Sequence, residues 1–251
     1  MPQFTVPTSQ GPALVDWTAP ASGPAAFVLA LTHGAGGTPG SADLLAARAA
    51  AVVQGGGVAL VTQPYRVRGA RAPGNAERQD EAWIELMTWL LSSSGPAAHA
   101  GSAAPAPLIV GGRSNGARVA CRAAAAVGAR GVLALAFPLR PPARRIKGSN
   151  EPVFPPDRSP ELQEAIRGGA HVLVLNGDRD PFGIPAASET IQVVVLNGET
   201  HSLSKNPAAV AAAVTKWLAD LGLAAPSGAP GRWVSAVKRE QSVKGGARNR
   251  L

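Results

Sequence analysis

The sequence predicts an α/β fold: a mostly parallel, twisted sheet flanked by helices, with an antiparallel hairpin at its start. The first observation is a set of short apolar runs, FVLALT (27–32), GVALVT (57–62), PLIVGG (107–112), GVLALAF (131–137), HVLVLN (171–176) and IQVVVLN (191–197). Each is almost continuously apolar rather than alternating, as strands buried on both faces must be. The second is that helix-forming stretches lie between them, at 41–54, 77–93, 115–127, 160–167 and 206–222. Strand–helix alternation of this kind builds a parallel sheet through right-handed crossovers. The third is the start of the chain, where QFTV and ALVDWTA flank the turn signal SQGP and read as a hairpin on the sheet edge.

With 251 residues, 45% of them apolar, the chain can bury one large core. We expect a single domain over residues 1–225 and a tail over 226–251. The net charge is +8, of which the tail carries +5. The tail is rich in Gly, Ser and Ala, with Trp233 as its one aromatic, and reads as a solvated basic extension rather than a nucleic-acid arm. Nucleic acid and membrane are therefore set aside as partners, the latter because no apolar run approaches the roughly 20 residues of a spanning helix. A single cysteine excludes an intrachain disulfide, and MPQFTVPTSQG has neither a basic start nor an apolar segment of the secretory kind. The expected location is the cytoplasm.

The strongest local signal is LIVGGRSNGARVACRAAAAVG, in which a strand runs into Gly112-Arg113-Ser114-Asn115-Gly116 and then a helix. This is G-x-S-x-G in strand–turn–helix context. A nucleophilic serine must stand clear of the sheet on a sharp turn, so the residues two positions to either side must be small. The helix that follows aims free N–H groups and a positive dipole end at a developing oxyanion.

A serine hydroxyl needs a base to take its proton. Of four histidines, His99 lies in an Ala/Gly/Pro loop and His171 begins a strand, at the wrong sheet edge. His33 ends the first parallel strand. His201 follows VVVLNGET, beyond the last strand, where it can hang over the site. The carboxylate that orients it should end the preceding strand, and HVLVLNGDRDPFG offers Asp180 first and Asp178 second. The expected catalytic set is Ser114, Asp180 and His201. Its oxyanion donors would be the backbone N–H of Asn115 and one from His33-Gly34-Ala35-Gly36-Gly37, Ala35 before Gly36.

Two long loops, 63–76 and 138–159, also follow strands, at the sheet edge where α/β folds bind ligands. They make His33, Tyr65, Arg66 and Arg140 the candidates for substrate contact. Arg66, Arg68 and Arg140 would favour an anionic substrate, and solvated loop charge is the plainer reading. Cys121, on the helix after Ser114, reads as a small packed hydrophobe.

HGAGG, GGRSNGARVA, LAFPLRPP, LVLNGDRDPFG and ETHSL, in that order, resemble the α/β-hydrolase superfamily. More narrowly they resemble the branch of dienelactone-hydrolase-like proteins and the testis-expressed protein 30-like NSL-complex subunit 3 domain. The resemblance spans about residues 20–222. It implies an eight-stranded, mostly parallel sheet, a Ser114–Asp180–His201 triad and a serine hydrolase that cleaves an ester-like small molecule through an acyl-enzyme. Asn115 stands where Met or a similar residue is usual, and Ala117 where Gly is frequent. With no large insertion between the strands at 131–137 and 171–176, no large cap domain is expected.

No cofactor or metal is expected. Gly34-Ala35-Gly36-Gly37-Thr38-Pro39-Gly40 has the look of a dinucleotide loop, but Pro39 and Gly40 fit a helix start poorly and the next strand ends in Thr62-Gln63 rather than an acid. One Cys and scattered His give no metal-ligand spacing. The alternative function is a non-catalytic scaffold or binding protein on the same fold.

Overall fold

A computed structural model describes residues 1–97, 106–140, 143–145 and 152–223. His99 and the basic tail lie outside the described residues. In chain order the elements begin β1 (Gln3–Val6), β2 (Ala13–Thr18), β3 (Phe27–Thr32), α1 (Ala42–Val53), β4 (Gly56–Thr62), α2 (Pro64–Val67), α3 (Ala76–Leu91) and β5 (Leu108–Arg113). They continue α4 (Asn115–Ala123), β6 (Gly131–Leu135), β7 (Arg144–Arg145), β8 (Pro152–Val153), α5 (Ser159–Arg167), β9 (His171–Gly177), β10 (Ile191–Leu196) and α6 (Pro207–Asp220).

The main sheet has eight strands in the order β1-β2-β4-β3-β5-β6-β9-β10. The expected hairpin is β1 and β2, antiparallel, and β2 lies antiparallel to β4. From β4 to β10 every pair is parallel. β1 and β10 are thus the two rims. After β3 the chain steps one way to β4, then crosses back to place β5 on the other side of β3. The loops leaving β3 and β5 diverge at that reversal and open a crevice at the carboxyl edge.

Each sheet face carries its own core. On one face α3, α4 and α5 cover the strands, with Trp83, Leu86, Val119 and Leu162 buried; on the other α1 and α6 do so, with Leu44, Ala47, Val210 and Trp217. α3 buries Gln79, Ala82, Trp83, Leu86, Met87 and Leu90, the three-and-four spacing of an amphipathic helix, and Asn75 caps its start by accepting from the Glu77 and Arg78 N–H groups. Arg118 and Arg122 pin α4 to its neighbours, pairing with Glu161 of α5 at 2.6 Å and with Asp80 of α3 at 2.7 Å.

Three details depart from expectation. The loop 63–76 opens with the short helix α2, which Pro64 at its first turn favours. The run GVLALAF stops being a strand at Leu135, because Ala136 turns to φ 46° and the Phe137 backbone bonds to the Asn176 side chain instead of the sheet. Within 138–159, β7 and β8 form a two-residue antiparallel ribbon. Among the described residues, no cap domain covers the crevice, and no helix is long and apolar enough to cross a membrane.

Candidate active site

β5 ends at Arg113 and α4 begins at Asn115, so Ser114 alone makes the turn, with φ 52° and ψ −110°. A non-glycine residue there is strained and persists only where its surroundings hold it. The Ser114 N–H donates to the Leu135 carbonyl at 2.9 Å, and the Ser114 carbonyl accepts from the Arg118 N–H at 3.2 Å. The flanking glycines let the turn seat against the end of β3. A Cβ on Gly112 would meet the Thr32 carbonyl oxygen at 2.5 Å, and one on Gly116 would meet it at 2.5 Å and that of His33 at 2.8 Å.

Ser114 Oγ lies 2.9 Å from His201 Nε2, and His201 Nδ1 lies 2.9 Å from Asp180 Oδ2. With its proton on Nδ1, the imidazole donates to the carboxylate and leaves Nε2 to accept the serine O–H. The Asp180 side chain is fully buried, and its oxygens also accept from the Phe182 N–H at 2.9 Å and Asn176 Nδ2 at 3.3 Å. Asp178 is exposed. The structure therefore brings Ser114, Asp180 and His201 together, with Asp180 rather than Asp178 as the carboxylate.

The loop after β3 passes directly over the turn, since a Cβ on Gly34 would stand 3.2 Å from Ser114 Cβ. It is closed by the Gly37 N–H donating to the Gly34 carbonyl at 3.0 Å, with Gly36 at φ 70°. Among the described residues, no protein acceptor takes the N–H of Ala35, of Gly36 or of Asn115. An oxyanion developing over Ser114 would require donors of this kind.

Residues 25–213 match the family model of the alpha/beta hydrolase domain. The chain belongs to the α/β hydrolase family. Solved structures share its fold, among them the following three. A lidless α/β serine hydrolase of Xanthomonas campestris aligns with TM-score 0.64 and 18% identity, covering 87% of this chain and 94% of its own. An α/β serine hydrolase homologue of Coxiella burnetii aligns with TM-score 0.66 and 14% identity over 86% and 97%. Est1E from Butyrivibrio proteoclasticus aligns with TM-score 0.65 and 11% identity over 88% and 99%. No curated protein matches the chain.

Several residues of this α/β hydrolase domain have roles that local sequence does not reveal. Arg113, the residue before the serine, donates from its terminal nitrogen to the His201 carbonyl at 3.0 Å, and its Nε lies 3.3 Å from Oδ2 of the fully buried Asp43. It ties the His201 loop to the strand that leads into Ser114. Burial raises the Asp43 carboxyl above its ordinary range, and the Arg113 charge works against that. We expect Arg113→Met to destabilise the domain by about 1–3 kcal/mol, because a buried polar group loses its partner, and to lower kcat more than it raises KM. Adding Asp43→Asn should restore part of the stability and little of the kcat. Equal recovery of both, in denaturant melts and steady-state kinetics, would remove the positioning role. Asn176, at the end of β9, bonds Asp180, Phe137 and the Gly183 carbonyl together, and the Phe182 ring packs on His201 with centroids 4.4 Å apart.

His33 requires correction as a substrate contact. Its side chain is fully buried, Nδ1 donates to the Gly34 carbonyl at 2.9 Å, and Nε2 accepts the Gln63 N–H at 3.1 Å. It braces the loop after β3 against the end of β4. Arg66 does likewise, donating to the Gly37 carbonyl at 3.0 Å and the Ala70 carbonyl at 3.0 Å. Tyr65 is buried with its ring edge-on to His33, and Arg140 is exposed beside Gly183. His171 begins β9, exposed at the opposite edge. Cys121 is fully buried, which pushes its thiol well up.

Burial lowers the His33 pKa below its usual 6.5. The unfolded chain then takes up a proton that the folded chain refuses. His33's contribution is therefore complete above about pH 6.5 and is lost as pH falls toward the folded value. Unfolding free energy should drop below about pH 6.5 with a slope of up to about 1.4 kcal/mol per pH unit from this group. In His33→Gln that component should vanish from denaturant melts run across the range; an unchanged slope would refute it.

Proposed function

We propose that this chain is a serine hydrolase that cleaves a carboxylic ester, or a related acyl bond, of a small molecule. The supporting observation is the unbroken run of 2.9 Å contacts from Ser114 through His201 to buried Asp180, beside the unengaged N–H groups of Ala35, Gly36 and Asn115. His201 takes the Ser114 proton as Oγ attacks the carbonyl carbon. The oxyanion rests on the Asn115 and Ala35 N–H groups, with Gly36 the second choice for the latter. As the tetrahedral species collapses, His201 returns the proton to the leaving alkoxide. Water then attacks the acyl-enzyme with His201 as base, freeing acid and serine. Loss of one oxyanion donor would cost about 2.7–4 kcal/mol of transition-state stabilisation.

On its motifs we assign the chain to the dienelactone-hydrolase-like and testis-expressed protein 30-like branch, working in the cytoplasm. A fluorophosphonate probe tests the activity: the wild type should label, and Ser114→Ala should not. An unlabelled, folded wild type that also leaves p-nitrophenyl esters intact would favour the scaffold reading.

A further inference from the structure

Leu203, two residues beyond His201, holds φ at 45° with its side chain fully buried. A bulky residue in the left-handed region is strained, and such strain persists only where its surroundings hold it. The Leu203 N–H donates to the Thr200 carbonyl at 3.2 Å, so His201 stands within the strained turn itself.

One side chain fastens both ends of that segment. Glu199 is 1% exposed, and its Oε1 accepts the Asn206 N–H at 2.6 Å, which closes residues 199–206 into a ring with His201 among them. At the far end Asn206 caps α6, its own side chain accepting the Ala209 N–H at 3.1 Å. At the near end the Glu199 carbonyl accepts the Arg179 N–H at 3.0 Å, and the Asp178 N–H donates to the Leu196 carbonyl at 3.1 Å. A Cβ on Gly177 would run into the Glu199 backbone, so the two chains meet there without room to slide. Glu199 thus joins the loop bearing His201 to the loop bearing Asp180 and to the start of α6.

Folding alone does not account for a carboxyl group at this position. Its second oxygen, Oε2, is buried without a hydrogen-bond partner. A buried carboxyl held by one hydrogen bond is less stabilising than an apolar side chain of the same volume. Asn206 is exposed, so water can take its N–H if Glu199 is absent. A stability cost kept in this way points to function. We propose that Glu199 is a positioning residue, a clasp that holds the His201 imidazole between Asp180 and Ser114. Its effect on turnover rests on the hydrolase reading above; its effect on the imidazole rests on the loop geometry alone.

Two substitutions separate the clasp from a merely structural role. Glu199→Met keeps the volume and removes the acceptor, whereas Glu199→Gln keeps an acceptor at the same place. The Met variant should melt at or above the wild-type temperature. It should nonetheless turn over p-nitrophenyl acetate about 100-fold more slowly, the loss expected of a misplacement of about 1 Å, with KM within about twofold. The Gln variant should return kcat to within about threefold of wild type. Nuclear magnetic resonance of ¹⁵N-labelled imidazoles reads the same clasp without turnover: the His201 Nδ1 proton should be sharp in wild type and Gln variant and broadened in Met. Should the Met variant not fold, Glu199→Asp, one methylene too short to reach Asn206, takes its place. Wild-type kcat and imidazole signal in the variant lacking the clasp overturn the proposal, as does a kcat that falls only in step with melting temperature. A wild type that neither labels with fluorophosphonate nor cleaves the ester removes the hydrolase reading, and the imidazole spectra still decide the clasp.

Discussion

His201→Ala should lower kcat by about 10⁴–10⁶-fold and leave the melting temperature within a few degrees of wild type. Triad members act as a unit, so removing one forfeits nearly everything the set provides. The imidazole is part-exposed and meets its partners only through its two nitrogens and the Phe182 ring, so little packing goes with it. Asp180→Asn makes the sharper test. It conserves volume in a fully buried position, yet an amide facing Nδ1 donates where the carboxylate accepted. The imidazole proton then moves to Nε2, and the serine O–H faces a donor. A loss of about 10⁴-fold is expected, with folding preserved. Steady-state turnover of a p-nitrophenyl ester reads both variants; activity within a factor of ten of wild type in either would remove that residue from the mechanism.

Gly116→Ala should lower turnover by a different route. Its new Cβ would stand 2.5 Å from the Thr32 carbonyl oxygen and 2.8 Å from that of His33. Both are backbone atoms, one at the end of β3 and the other where the following loop starts, so relief requires α4 and β3 to separate. Forced overpacking of this kind costs about 1–3 kcal/mol or more, a drop of several degrees in Tm. The same movement pulls the Asn115 and Ala35 N–H groups apart, so kcat should fall by at least about 100-fold. Gly40→Ala is the control, because its Cβ meets Thr38 Oγ1 at an ordinary 3.7 Å. It should melt and turn over like wild type. A Gly116→Ala protein matching that control would show the close seating to be dispensable.

Much of this was legible in the chain, for identifiable reasons. Strands covered on both faces must be continuously apolar, and each of the six apolar runs became a strand with its ends moved by at most two residues, although β10, at the rim, leaves part of one face exposed. The glycines around Ser114 are legible because their need is local: the clash they avoid is with the next strand in any such sheet. What was not legible depends on partners far along the chain. Arg113 meets Asp43 and His201, 70 and 88 positions away, and nothing near it in sequence announces either. His33 ended the expected strand but turned its ring back under the loop, a choice set by the Gln63 N–H. Asn176 read as an ordinary strand residue, and its side chain ended β6 early by taking the backbone of Phe137.

The imidazole hangs from the loop after β10, and β10 has a neighbour on one side only. Such a rim frays before the middle of a sheet, so mild denaturant should extinguish turnover while Trp83 and Trp217, deep in the two cores, still fluoresce as in the native protein. The guanidinium strap from Arg113 to His201 works against that early failure by anchoring a peripheral loop to an inner strand. Catalytic competence here reports on the margin of the molecule, and tryptophan emission on its centre.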